Sequence, residues 1–143
     1  MIITQPKELI AAFVNLRQGF PPETSWGNYN ALGLVRNGHM VAGVIFNGYE
    51  SANVNIHVGA VAGSRWMTKE FLHAVFDYPF NQLGRRRLSA YIRSTNKKTI
   101  AFVKHLGFVH EGTLRDFYTD GGDMAVYGLL RSKCRFLDLR KAA

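Results

Sequence analysis

The stretch 96–115, NKKTIAFVKHLGFVHEGTLR, constrains the fold of this chain more than any other segment. Asn96 is a residue type that caps helix starts, and Gly107 stands where a left-handed residue ends a helix. Between them apolar residues recur at helical spacing, and the segment after the glycine is again apolar. The stretch therefore predicts an amphipathic helix, a glycine cap and a strand. The apolar helical positions are Ile100, Phe102, Val103 and Leu106.

The particular residues of this stretch carry a family resemblance. The spacing Asn-x-x-Thr, then Gly-Phe, then Glu-Gly-x-Leu-Arg resembles the closing third of the GNAT acyltransferases, and most closely the branch that acetylates the N-termini of ribosomal proteins. Together with the preceding FDYPFNQLG, the sequence of this segment is similar to GNAT proteins carried by phages and prophages. The resemblance covers residues 68–137. The residues in register are Asn96, Thr99, Gly107, Phe108, Glu111, Gly112, Leu114 and Arg115.

This resemblance implies both a fold and a reaction. The expected fold is α/β (α+β): a mixed, mostly antiparallel, twisted sheet flanked by helices, with a trimmed N-terminus, in one domain spanning residues 1–143. The expected reaction moves an acetyl group from acetyl-CoA to a primary amine by direct attack in a ternary complex. The acceptor would be a protein or peptide N-terminus or lysine, or a small-molecule amine, and the enzyme a monomer or homodimer.

The charge of the chain leaves more than one partner open. Eighteen Lys and Arg against ten Asp and Glu give a net charge of +8, with clusters at 85–87, 97–98 and 131–141. Nucleic acid, an acidic protein and a phosphate-rich cofactor would each be attracted to such a surface. The alternative to the enzyme is therefore a catalytically silent GNAT-fold binding module for nucleic acid or an acidic protein.

The remaining composition narrows the setting. A single cysteine, Cys134, excludes an internal disulfide and a cysteine-based metal site, which favours a reducing cytoplasm. No apolar run approaches the roughly 18–20 residues that a membrane span requires. We therefore expect a cytoplasmic protein that uses no metal and no membrane.

The N-terminal half predicts a helix followed by hairpins. Residues 5–20 place apolar residues, Leu9 and Leu16 among them, mostly on one side of a helix that ends at the prolines 21–22. Asn-Gly pairs at 37–38 and 47–48 then separate three predicted antiparallel strands. On the third strand a polar stripe alternates with apolar residues, and it is either satisfied internally or lines a cleft. The predicted strands cover 31–36, 40–46 and 52–61, and the stripe is Asn53, Asn55 and His57.

Three further expectations concern the second half. Pro79 should interrupt the helix that follows residue 67, and residues 132–139 should form a short basic helix. Glu111 and Arg115 are expected to form a structural ion pair.

The resemblance places coenzyme A between the loop 61–67 and the helix that starts at Asn96. In the family, an Arg/Gln-x-x-Gly-x-Gly/Ala loop lets backbone amides approach the pyrophosphate at a helix N-terminus. Here Ser64 and Trp66 stand near the expected glycines, so the loop departs from that pattern. Asn96 is expected to hydrogen-bond the pantetheine arm. The predicted cofactor-binding residues are Val61, Gly63, Ser64, Arg65, Asn96, Lys97, Lys98, Thr99 and Phe102.

Acyl transfer to an amine needs little catalytic equipment, because a thiolate of ordinary pKa near ~8.5 leaves readily. Thr99 matches the family serine beside the departing sulfur, and it is equally suited to capping the helix. The branch's carboxylate base falls at Tyr118, whose ordinary pKa of about 10 makes it a poor base. Asp116, two residues earlier on the predicted strand face, is the nearest replacement. His57 is the best alternative, since its ordinary pKa is about 6.5.

Overall fold

A computed structural model describes residues 1–137 of the chain. Its centre is one seven-stranded sheet of order β1-β2-β3-β4-β5-β7-β6, and all neighbouring strands are antiparallel except β4 and β5. The strands are β1 (Ile2–Ile3), β2 (Tyr29–Arg36), β3 (His39–Asn47), β4 (Asn53–Ala60), β5 (Arg87–Arg93), β6 (Val109–Leu114) and β7 (Met124–Leu130). The helices are α1 (Lys7–Gln18), α2 (Lys69–Asp77) and α3 (Lys97–Leu106). The predicted fold class is confirmed.

The helices cover both faces of this sheet. Because side chains alternate along a strand, successive residues of β3 belong to different clusters. Phe46 is in the larger cluster, which includes Phe71 of α2 and Val103 of α3. Ile45 is in the smaller cluster, with Val14 and other residues of α1. Helix α1 therefore lies on one face, and α2 and α3 lie on the other.

Helix α1 presents a narrower face to the sheet than its sequence predicted. Leu9 and Leu16 are 58% and 61% exposed, so they do not lie on the buried side of the helix with Ile10 and Val14, as the apolar pattern predicted. The helix also ends before the prolines, at Gly19, which adopts a φ of +82°. Its inner face repeats at i, i+1, i+4 and i+5, which excludes both leucines from the sheet. The buried residues are Ile10, Ala11, Val14 and Asn15.

The stretch 96–115 folds as predicted up to the end of its strand. The Asn96 side-chain oxygen accepts the Thr99 backbone N–H at 3.2 Å, and Gly107 ends α3 with a φ of +108°. Strand β6, however, ends at Leu114, so Asp116 lies in the loop that follows and not on a strand. Asp116 has a φ of +55°, and its N–H donates to the Asp123 carboxylate at 2.9 Å.

The predicted turns and breaks are mostly present. Asn37 and Gly38 form a two-residue turn with φ values of 51° and 78°. Asn47 instead remains in β3, paired with Asn55, so the second connection is longer than a tight turn. A π-helical turn, Tyr78–Gln82, follows α2 and contains Pro79.

The predicted basic helix over 132–139 is confined to a 3-10 turn, Arg131–Lys133, within the described part of the chain. Its predicted last residues, 138 and 139, lie outside the described residues. None of the helices within residues 1–137 is both long and apolar enough to cross a membrane.

Candidate active site

Strands β4 and β5 pair only at their beginnings. Asn53 is opposite Arg87 and Asn55 is opposite Ser89, and the pairing ends there. Each strand keeps its other neighbour much further, since β3 remains paired with β4 up to Ala60 and β7 accompanies the whole of β5. The two central strands therefore diverge toward their C-terminal ends. We call the resulting gap the β4–β5 opening.

Strand alternation determines which backbone groups of β4 face this opening. The Val61 N–H donates to the Val41 carbonyl at 2.9 Å, so the odd-numbered residues of β4 direct their backbone groups toward β3. The even-numbered residues direct theirs the other way. Beyond the last paired residue, the N–H groups of Val58 and Ala60 consequently face the opening. They can donate to an amide-bearing ligand that lies along the strand.

The carbonyls of the same two residues are already satisfied by the end of α1. The Arg17 Nε donates to the Ala60 oxygen at 3.1 Å, and the Gln18 side-chain amide donates to the Val58 oxygen at 2.5 Å. Gly59 allows this close approach, because a Cβ there would lie 2.9 Å from the Arg17 Cβ. Helix α1 thus satisfies the two carbonyl acceptors of this edge, whereas no strand of the described chain pairs with the N–H groups of Val58 and Ala60.

His57 is held neutral on the α1 face of β4. Its Nε2 lies 2.9 Å from the Asn47 side-chain oxygen. The Asn47 amide nitrogen donates to the Trp26 carbonyl at 3.3 Å, so the Asn47 oxygen is the acceptor and His57 Nε2 carries the proton. Burial lowers the pKa of His57 to about 4, in contrast to the ordinary value assumed from the sequence. Within residues 1–137, no hydrogen bond occupies His57 Nδ1, which keeps a free lone pair.

A buried asparagine fixes the loop that covers His57. The indole of Trp26 lies over the imidazole, with ring centroids 4.3 Å apart. Its Nε1 donates to the Asn15 side-chain oxygen at 2.7 Å. The Asn15 amide nitrogen donates to the carbonyls of Pro22 and Thr24 at 3.0 and 3.2 Å. Asn15 was not predicted from the sequence, where the available signal was a polar residue beside Val14 on the inner face of a predicted helix.

The polar stripe of β4 is partly satisfied within the sheet. The Asn53 oxygen accepts from the Ser89 hydroxyl at 2.6 Å and from Arg87 Nε at 3.2 Å. The Asn53 amide nitrogen donates to the Asn55 oxygen at 3.1 Å. The paired end of β4 and β5 is therefore joined by structural hydrogen bonds, and His57, further along, is the stripe residue beside the opening.

The expected ion pair between Glu111 and Arg115 is wrong. Glu111 pairs with Arg87, with Arg87 Nη2 and Glu111 Oε1 2.5 Å apart. The two side chains meet over Gly128, where a Cβ would come within 2.5 Å of both. A bulge in β6 near Glu111 shifts the strand register, which turns this carboxylate toward β5.

Hydrogen bonds from Ser64 close part of the loop 61–67. The backbone N–H and the hydroxyl of Ser64 both donate to the Val61 carbonyl, at 3.1 and 2.7 Å. Gly63 adopts a φ of +78° and is exposed, as is Arg65. Both donors of Ser64 are thus engaged within the turn. Arg65 is an exposed charged donor that could reach an anion here.

An aromatic contact brings this loop to the start of α3. Trp66 lies 5.1 Å from Phe102 and 6.2 Å from Phe71 between ring centroids, so it joins the beginning of α2 to α3. Lys97 and Lys98 are exposed in the first turn of α3. The structure therefore brings together the two segments predicted to bind the cofactor. It shows Phe102 packed against an indole.

Asp116 and Tyr118 occupy a separate environment in the loop after β6. The Arg93 guanidinium lies 4.0 Å from the centre of the Tyr118 ring and also pairs with Asp120 at 3.0 Å. Burial raises the pKa of Tyr118, so even less of it is in the ionised form that could act as a base at neutral pH. Among residues 1–137, no hydrogen bond or ring contact joins Asp116 or Tyr118 to His57.

Two smaller expectations concern Cys134 and metals. Burial raises the pKa of the Cys134 thiol despite the neighbouring arginines. The described residues contain no group of three or more His, Cys, Asp or Glu side chains that could hold a metal ion.

Comparison with known proteins identifies the class of this domain. A family model described as "Acetyltransferase (GNAT) domain" matches residues 40–125, which is more than half of the chain. The chain therefore belongs to the GNAT acetyltransferase family, and the domain is of an enzyme class that uses acetyl-CoA. A search of curated protein sequences found no match.

Solved structures show the same fold at low sequence identity. A spermidine N-acetyltransferase variant from Vibrio cholerae superposes with a TM-score of 0.74 at 14% identity, covering 96% of this chain and 98% of that one. Another mutant form of the same enzyme gives 0.71 at 14% identity, covering 93% and 95%. A protein described as "Probable acetyltransferase" gives 0.63 at 20% identity, and the match spans 73% of this chain and 62% of that protein.

Proposed function

We propose that this chain transfers the acetyl group of acetyl-CoA to the α-amine of a protein or peptide. The observation that carries the proposal is the β4–β5 opening, where the N–H groups of Val58 and Ala60 face outward beside a neutral histidine whose Nδ1 has no hydrogen bond within residues 1–137. Further support comes from the closing segment of the sequence, which resembles enzymes that acetylate protein N-termini.

The residues around the opening fit an amide-bearing, phosphate-bearing cofactor. The N–H groups of Val58 and Ala60 would donate to the pantetheine arm. The Asn96 oxygen is engaged in the helix cap, which leaves its amide nitrogen as a donor to the same arm. Exposed cations at the starts of α2 and α3 would meet the phosphates. These cations are Arg65, Lys97 and Lys98.

Acetyl-CoA supplies a thioester carbonyl and a leaving thiolate. In the proposed step, the amine nitrogen bonds to the carbonyl carbon and the carbon–sulfur bond breaks. The proton released by the nitrogen passes to His57 Nδ1 and then to solvent. The hydroxyl of Thr99, in the first turn of α3, would stabilise the departing sulfur.

The basicity of His57 favours an α-amine as acceptor. A histidine with a pKa of about 4 is unprotonated at neutral pH, but it is a weak base. It therefore requires an acceptor amine that is already partly neutral at this pH. At pH 7 roughly a tenth of an α-amine is neutral, against about 0.04% of a lysine side chain. A much larger fraction of N-termini than of lysine side chains is consequently in the neutral form that can react.

The charges near the opening favour the same class of acceptor over a polyamine. The named structural relatives act on spermidine, but at 14% identity they share the fold alone. In this chain the guanidinium of Arg17 lies beside Ala60 at the opening. A polycation would meet this positive charge, whereas a peptide carries its amine at one end.

Thiol release from acetyl-CoA with matched acceptors tests the proposal. The acceptors are a peptide with a free α-amine, the same peptide blocked at its N-terminus but containing lysine, and spermidine. We expect the free α-amine to react fastest and His57→Gln to lower kcat about 10²–10⁴-fold. The wild-type rate should rise with pH as the amine loses its proton. The pH–rate profile should show no inflection near pH 6.5.

Asp116→Asn and Tyr118→Phe are the matched controls, because both residues lie apart from His57. A preference for spermidine would contradict the acceptor assignment. Loss of activity in Asp116→Asn combined with full activity in His57→Gln would identify Asp116, and not His57, as the base.

A further inference from the structure

A second concave site lies at the opposite end of the sheet from the opening. A hollow of about 540 Å³ forms where the chain before β4, the start of β5 and the end of β7 meet. Backbone hydrogen bonds hold these three segments together: the N–H groups of Arg86 and Arg87 donate to the Ala52 carbonyl, and the Arg131 N–H donates to the Arg86 carbonyl at 2.9 Å. The walls of this hollow are therefore fixed by the sheet.

Three guanidinium groups line the hollow, and among residues 1–137 only one of them has a carboxylate partner. Arg87 is neutralised by Glu111, but Arg86 and Arg131 form no ion pair within residues 1–137. Arg131 is oriented by its Nη1, which donates to the Phe80 carbonyl. Arg86 is exposed, and its side chain makes no hydrogen bond in the described chain. Two unneutralised cations at one concavity repel each other, and a bound anion would relieve this repulsion.

The floor of the hollow is apolar. Ala52, Leu130 and Leu137 contribute to its lining, and Leu130 is 45% exposed. An apolar floor beside oriented guanidinium groups fits a ligand that has a flat apolar ring and a phosphate. The volume also lies in the range of about 300–1,000 Å³ that small-molecule sites occupy.

We infer that this hollow binds a nucleotide unit, with its phosphate on Arg86 and Arg131 and its base against Leu130. Guanidinium groups suit phosphate because their planar donors match its oxygens. The unit comes either from a free nucleotide or from a single-stranded nucleic acid. This site uses one arginine from each of two basic clusters of the sequence, at 85–87 and 131–141, which the proposed acetyl transfer does not use.

Two probes distinguish the sources. AMP is titrated by calorimetry, and a fluorescein-labelled decamer of uridylate is followed by anisotropy over a range of salt concentrations. Saturating coenzyme A is present in both, so that its own site is filled. We expect binding by at least one probe, weakened about fivefold by Arg86→Gln and also weakened by Leu130→Ser. For the decamer, Arg86→Gln should lower the salt dependence by about one phosphate contact.

Arg65→Gln is the matched control, because it removes the same charge at the cofactor end of the molecule. It should leave binding of both probes unchanged. Binding of AMP identifies a free nucleotide as the source, and binding of the decamer alone identifies a strand. The inference is overturned if neither probe binds at millimolar AMP or micromolar decamer. It is equally overturned if a probe binds only when coenzyme A is omitted, or if Arg86→Gln and Arg65→Gln weaken binding to the same extent.

Discussion

The indole of Trp26 covers the imidazole of His57, with 4.3 Å between the ring centroids. The two residues come from segments about 30 positions apart, and their contact determines the protonation state of the histidine. Because the indole and the sheet exclude water, the charged imidazolium is disfavoured and the pKa falls to about 4. The proposed base is therefore unprotonated at neutral pH.

The first prediction concerns stability at low pH. In the unfolded chain His57 has its ordinary pKa of about 6.5, whereas in the folded protein the value is about 4. The unfolded state therefore binds the extra proton first, and stability that is complete above pH 6.5 is lost as the pH falls toward 4. Between pH 7 and pH 4.5 the loss from this residue amounts to roughly 2–3 kcal/mol.

Urea unfolding at these two pH values, for wild type and His57→Gln, measures this contribution. The variant should lose less stability on acidification by about that amount. His39→Gln, which changes an exposed histidine, serves as the control and should behave as wild type. Equal acid sensitivity in wild type and His57→Gln would show that His57 titrates normally.

The second prediction concerns Asn15. This residue is fully buried, and it satisfies the Trp26 indole and two loop carbonyls. Asn15→Ala leaves these groups without partners, at a cost of about 1–3 kcal/mol for each unsatisfied group that stays dry. We expect a loss of roughly 2–4 kcal/mol in chemical denaturation. A loss below about 0.5 kcal/mol would mean that the loop is not anchored by this side chain.

The third prediction concerns the contact of α1 with β4. A Cβ at Gly59 would lie 2.9 Å from the Arg17 Cβ and 3.1 Å from the Val14 Cα. Gly59→Ala must therefore displace the helix, and we expect a cost of about 1–3 kcal/mol. Gly112→Ala is the control, because nothing lies within 4 Å of its added Cβ. Thermal denaturation of the two variants should differ clearly, and equal melting temperatures would refute the tight contact.

The fourth prediction separates the two roles given to Asn96. Asn96→Ala removes the cap of α3 and should lower stability by about 1 kcal/mol. It should also weaken acetyl-CoA about fivefold, since one hydrogen bond is worth about 1 kcal/mol. Asn96→Ser retains a capping oxygen but not the amide donor, so it should keep the stability and still lose the affinity. Calorimetric titration that finds Asn96→Ser as tight as wild type would remove Asn96 from the cofactor site.

Local signals in the sequence were sufficient for much of the fold. Asn96 and Gly107 delimit α3 because a cap and a left-handed residue act on their immediate neighbours. Asn37 and Gly38 fix a tight turn for the same reason. The resemblance carried by the closing segment then gave the correct family, which the matched GNAT domain confirms. The assigned cofactor contacts remain predictions.

Other expectations failed where a distant partner decided the outcome. The placement of Asp116 on a strand assumed that β6 continues, but the Asp123 carboxylate takes the Asp116 N–H and the chain turns away. The pairing of Glu111 was likewise assigned to a near neighbour, whereas Arg87 reaches it from another strand. A sequence pattern shows which residues alternate, but it does not show where a strand stops or which element lies beside it.

The candidate site likewise has features that the sequence determines and features that depend on tertiary contacts. The sequence by itself determined that a polar stripe containing His57 lies on a central strand, because alternation of side chains is a local property of an extended chain. Only the tertiary structure decided the surroundings and the protonation state of that histidine. Asn15 fixes the loop, the loop places Trp26 over the ring, and Asn47 takes the proton of Nε2. The pKa of His57 depends on water excluded by these separate segments, and they meet only when the chain has folded.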